Sequence, residues 1–121
     1  MTTKTLLGPY RVDFTEIATV VPRMTPGVFA LGHLDHRNLF FVNLVGRSDV
    51  DLQSGLLELI GTGTYFKFGT VATSKMAFER ECELFHHFRP SGNLIHPVRS
   101  DGKDWTCPHC RTLSAVRVSS V

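Results

Sequence analysis

The sequence predicts an α/β domain of the α+β type, a small antiparallel three-stranded sheet flanked by helices, with a C-terminal tail of different character. Three observations predict it. Two β-prone apolar runs, "GVFALG" (27–32) and "LFFVNLV" (39–45), are joined by the polar "HLDHRN" (33–38), the pattern of a hairpin. A third run, "YFKFGTVA" (65–72), alternates aromatic and polar residues as a half-buried strand does. Helical periodicity lies on both sides of that third run, which gives the order β-β-α-β-α-tail.

The elements follow in chain order. Residues 1–10 read as an irregular lead-in, and "VDFTEIATVV" (12–21) is compatible with either a short helix or a strand. "VPRMTPG" (21–27), with two prolines and a glycine, is a loop before the hairpin. After the hairpin, Ser48 or Asp49 is placed to cap a helix whose Leu52, Leu56 and Leu59 share one face and which stops at Gly61. Thr73 or Ser74 caps a second helix that runs to about Phe88, where Pro90 and Gly92 in "RPSGN" forbid continuation. Beyond it the only strand-like segment is "SAVRVSSV" at the C-terminus.

A chain of 121 residues with 42% hydrophobic and 20% charged residues fits one globular domain over 1–121, with a core over about 26–94 and a tail over 95–121. The net charge of +2 permits a polyanionic partner without requiring one. No apolar stretch approaches the ~20 residues of a membrane span, so no membrane partner is expected. The opening "MTTKTLLGPYRVDF" has no long apolar segment, and a cytoplasmic location is the expectation. In a reducing compartment the pair of cysteines in "CPHC" favours metal over a disulfide.

The second helix carries the chemistry. On a wheel of about 100° per residue, Ala77, Phe78, Leu84, Phe85 and Phe88 form one apolar arc, and Glu81 falls inside it. A carboxylate there needs a cationic partner or a metal ion, and an arginine reached from the helix edge is the plainer of the two. Cys82 and His86 lie together at the edge of the arc, since i and i+4 share a face. Cys107 and Cys110 add two thiolates at C-x-x-C spacing, and the four donors together describe a closed structural zinc site. His96, in "HP", and His109, inside the knuckle, are rival ligands, whereas His87 points to the polar face.

"GVFAL", then "NLVGRS", a helix, and a later helix with an embedded glutamate followed by an asparagine resemble the GIY-YIG nuclease superfamily over about residues 26–94. The "ECELFH" and "CPHC" elements are similar to a smaller branch with a zinc-like tail. The resemblance implies one magnesium or manganese ion on Glu81, with Asn93 as the following asparagine. It also implies that the two strand motifs, Gly27-Val28-Phe29 and Leu44-Val45-Gly46, lie side by side, with Phe29 and Leu44 facing the same groove as Glu81. The tyrosines of both motifs are replaced, by Phe29 and Leu44, and the helical arginine position holds Gly55. None of these replacements can donate, accept or transfer a proton, or neutralise a phosphate. Arg47 is the available stand-in for the phosphate contact, and His33 or His36 for a base.

Three functional expectations follow. The first is a GIY-YIG-like domain with an eroded nuclease site that binds nucleic acid, DNA being the expected kind, and is stabilised by zinc. The second is an active metal-dependent endonuclease with a rearranged site built on Glu81, Asn93 and Arg47. The third is a zinc-stabilised module whose partner is a protein.

Overall fold

The computed structural model describes residues 6–110, and "SAVRVSSV" lies outside them. The elements are β1 (Leu7–Arg11), α1 (Phe14–Val20), β2 (Gly27–Leu34), β3 (Phe40–Ser48), α2 (Leu52–Leu57), β4 (Tyr65–Thr70) and α3 (Ser74–Phe88). The strands form one antiparallel sheet in the order β1-β4-β2-β3.

Among the described residues the sheet therefore has four strands where the sequence predicted three. The missed strand, β1, is "LGPYR", mostly exposed, with a Gly-Pro pair that reads as a turn. Proline is tolerated there because β1 is an edge strand. Its anchor is Tyr10, whose ring lies 5.8 Å from Phe66 and 6.1 Å from Phe68. The ambiguous segment after it is helix α1, started by Asp13, whose carboxylate accepts from the Glu16 N–H at 2.8 Å.

Strand alternation sorts the apolar residues into two layers. On one face Phe29, Leu31, Phe66 and Phe68 pack with Ile17 of α1 and with Leu52 and Leu56 of α2. On the other face Val28, Ala30 and Val45 pack with Leu84 of α3, and Phe85 and Phe88 lie against them. Helix α2 begins later than expected, with Asp51 as its cap, because Ser48 still belongs to β3 and Asp49 is held by Arg47. Helix α3 matches its expected bounds, with Thr73 as cap and a left-handed Arg89 (φ 47°) ending it before Pro90.

The chain then turns back along the free edge of β3. The Gly92 N–H donates to the Asn43 carbonyl at 2.7 Å. A Cβ at Gly92 would meet that oxygen at 2.6 Å, so the approach requires glycine. Asn93 imitates a strand partner: its amide nitrogen donates to the Val45 carbonyl at 2.9 Å, and its oxygen accepts from the Val45 N–H at 2.8 Å. This protects an edge that would otherwise offer unpaired groups. Among the described residues no helix is long and apolar enough to cross a membrane.

Candidate metal centre

Helix α3 carries its chemistry-bearing side chains toward the tail. Cys82 and His86 lie one turn apart, and the clamp at Gly92 and Asn93 brings His96 back over that turn. The His96 Nδ1 lies 2.9 Å from the Pro97 carbonyl oxygen. A carbonyl can only accept, so Nδ1 is the nitrogen that donates there, and Nε2 is the one that faces the cluster. A backbone contact of this kind fixes the orientation of an imidazole whose other nitrogen could take a metal ion. That Nε2 sits 3.2 Å from the Nε2 of His86 and 3.6 Å from the Cys110 sulfur. With Cys107 the four residues place one donor atom each within 4.8 Å of one another, a set able to hold a metal ion.

The group so formed contains His96, which the sequence offered as the rival, together with three of the four expected ligands: His86, Cys107 and Cys110. Cys82 stands beside the cluster. It is fully buried with Phe78 and Cys107, and its thiol is in hydrogen-bond contact with that of Cys107. Burial, then the neighbouring Cys107, pushes the Cys82 thiol well above the ordinary range, which keeps it protonated. His86 is shifted downward, first by burial and then by His96, His109 and Arg89, so it is held neutral, the form that binds metal. His109 stacks on His86 at 5.0 Å, as a cover. Trp105 packs on Phe78 at 5.6 Å and fixes the approach to the knuckle.

Glu81, one residue earlier on α3, belongs to a different network. Arg47 on β3 donates from Nη1 to Glu81 Oε1 at 2.8 Å and from Nε to Asp49 Oδ1 at 2.7 Å. Its Nη2 lies 3.4 Å from the Ser100 hydroxyl, which donates to Asp49 Oδ2 at 2.6 Å. The guanidinium also lies 5.2 Å from the centre of the Phe78 ring. Burial raises the Glu81 carboxyl above its usual range, and the hydrogen bond and charge of Arg47 offset only part of that. Asp49 is less enclosed; burial raises it too, but the bonds from Arg47 and Ser100 outweigh this and leave it lowered.

The other positions singled out in the sequence do not join Glu81. Phe29 and Leu44 are on neighbouring strands as expected, but they pack with the α1–α2 layer, whereas Glu81 is on α3 across the sheet. The expectation of one shared groove is corrected here, and its cause is strand parity: Val45 and Arg47 face α3, so the residues alternating with them face away. Gly55 is on α2, in that same opposite layer. Gly46 instead has a packing role, since the Phe29 ring lies directly over its Cα. Asn93 is fully engaged by Val45. His33 bonds Asn43 at 3.0 Å and stacks on Phe41 at the hairpin end, and His36 is exposed in the turn.

The sequence reading offered Asp49 only as a helix cap and did not name Ser100. Asp49, two residues after Arg47 and just past the end of β3, is near enough in sequence to be findable as its partner; Ser100, from the tail, gave no local signal. No protein-family model, curated protein or solved structure matches the chain.

Proposed function

We propose that this protein is a zinc-stapled α+β binding module with no hydrolytic centre, and that its partner is a nucleic acid. The observation that carries the zinc reading is the donor spacing. Two Zn–N bonds of about 2.0–2.1 Å at a tetrahedral angle put the nitrogens roughly 3.3 Å apart, and one Zn–N with one Zn–S bond of about 2.3 Å gives roughly 3.6 Å. The corresponding separations are 3.2 Å for His86–His96 and 3.6 Å for His96–Cys110. Two imidazoles and two thiolates with no open position form a structural set that suits zinc over harder ions.

The reading without hydrolysis rests on the use already made of Glu81. Its carboxylate is bonded to Arg47, and Arg47 is spread over Glu81, Asp49 and Ser100, so neither group is available to hold a divalent cation or a phosphate. Groups able to supply a nucleophile or base are missing at Phe29 and Leu44, which in any case face the other layer. Binding of nucleic acid is supported by the net charge of +2, by exposed cations such as Arg23, Arg89 and Lys103, and by the likeness of motif order to a nuclease superfamily.

Two assays test this. Plasmid nicking with magnesium or manganese should show no cleavage that Glu81→Ala abolishes; cleavage that does depend on Glu81 would establish the endonuclease reading instead. Titration of labelled DNA and RNA against salt should give a negative slope of log affinity on log salt. No affinity at low salt would sink the nucleic-acid assignment and leave the protein-interaction reading.

A further inference from the structure

Beside the four-donor cluster around His96 stands a fifth potential donor, Cys82. His96 is pinned by the Pro97 carbonyl, and Cys107 and Cys110 come from one short turn. The remaining position faces α3, which offers two candidates one turn apart, His86 and Cys82. His86 Nε2 points at His96 Nε2 from 3.2 Å. Cys82 is fully buried, and its thiol already contacts that of Cys107. Two thiolates on one tetrahedral zinc stand about 3.8 Å apart, close to the spacing of a sulfur–sulfur hydrogen bond.

We infer that Cys82 is a reserve ligand of the metal centre: the ion rests on two histidines and two cysteines, and Cys82 takes the place of His86 when that imidazole leaves, giving one histidine and three cysteines. The inference rests on the metal reading above and concerns which side chains serve it. In the exchange the metal–nitrogen bond to His86 breaks and a metal–sulfur bond to Cys82 forms. The thiol proton passes to the released imidazole, and nothing is oxidised or reduced. His86 has room to leave, because it lines a surface depression of about 390 Å³ with Phe85, Arg89, Pro90 and Asn93. Cys82 lies outside the group of donors within 4.8 Å of one another, so its sulfur turns toward the ion from its place against Cys107. The third sulfur makes the centre a site for thiophilic divalent ions, cadmium as well as zinc.

Cobalt(II) substitution reads the ligand set directly, because thiolate-to-cobalt charge transfer grows with the number of coordinated sulfurs. The full chain is reduced, stripped of metal and titrated with cobalt, then competed with zinc. Wild type and Cys82→Ser should both bind one cobalt with the same two-thiolate intensity. His86→Ala should still bind one cobalt, with the intensity raised by about half as a third sulfur joins. Cys82→Ser combined with His86→Ala should bind at least about 100-fold more weakly than either single variant, a loss in line with removal of the last available ligand. His86→Asn serves as a second form should the alanine variant fold poorly.

Overturning results are separable. If wild type binds no cobalt, the metal reading itself fails. If wild type binds but His86→Ala and His86→Asn both bind as weakly as the double variant, or keep two-thiolate intensity, the reserve role falls and the metal reading stands. If Cys82→Ser alone loses intensity, Cys82 is a resident ligand, which also refutes a reserve role.

Discussion

Replacing Arg47 by methionine should destabilise the protein by about 3 kcal/mol at neutral pH, the lower end of the cost of breaking a buried pair. The magnitude follows from the surroundings. The Arg47 and Glu81 side chains are each only 11% exposed, so the Glu81 carboxylate would be left buried without its cation. The bond to Asp49 adds less, because that carboxylate is 32% exposed. Glu81→Ala should cost less, because the guanidinium keeps its bonds to Asp49 and Ser100, and Arg47→Met with Glu81→Ala should recover part of the Arg47→Met loss. Urea unfolding of the four proteins gives the cycle. The penalty of Arg47→Met should also depend on pH with a definite sign. Burial already raises Glu81, and without Arg47 it rises further, so the folded variant binds this proton more tightly than the unfolded chain does. Its stability therefore falls as pH rises from the ordinary glutamate value of about 4.3 through the raised folded value. Asp49, lowered in the wild type, acts oppositely: its contribution is present above about pH 4 and is lost as pH falls. The penalty should thus be larger near pH 8 than near pH 5. A Glu81→Ala protein as stable as wild type or more so would refute this reasoning, and would mark Glu81 as a carboxylate held at a cost for function.

Other expectations are simpler to check. Asn93→Ala removes both bonds to Val45 from the edge of β3 and should cost about 1–3 kcal/mol in chemical denaturation, with faster amide exchange at Val45. Phe29→Tyr should confer no nuclease activity and should lower stability, since Phe29 is only 6% exposed, in the layer away from Glu81; a gain of metal-dependent cleavage would contradict the assigned strand parity.

Much of this fold is written in local patterns. Alternation around Phe66 and Phe68, the cap at Thr73 and the Pro90 stop fix β4 and α3, because each depends on residues within a turn or two of itself. β1 escaped, since an edge strand with one anchoring ring at Tyr10 has no period to detect. At the site, Glu81 inside an apolar arc was legible as a carboxylate needing either a cationic side chain or a metal ion; the sequence reading assigned it a metal and assigned Arg47 a phosphate, whereas the packing of α3 on β3 pairs the two with each other. The β2–β3 register separates Phe29 and Leu44 from Glu81, a matter of parity that motif order along the chain does not encode. The C-x-x-C pair and the turn holding Cys82 and His86 pointed to a candidate metal site, to which Cys107, Cys110 and His86 contribute and Cys82 does not. The choice of His96 came from the Gly92–Asn93 clamp, a tertiary contact with β3.

The central claim is that a metal ion staples the tail to α3 through His86, His96, Cys107 and Cys110. Its most direct test is elemental analysis of protein purified without added metal, paired with unfolding before and after chelation. One zinc per chain should be found, and chelation or Cys107→Ser should destabilise the fold markedly, because structural zinc binding is folding free energy. Protein without bound metal, with freely titratable thiols and a melting curve that neither zinc nor chelator moves, would contradict the account.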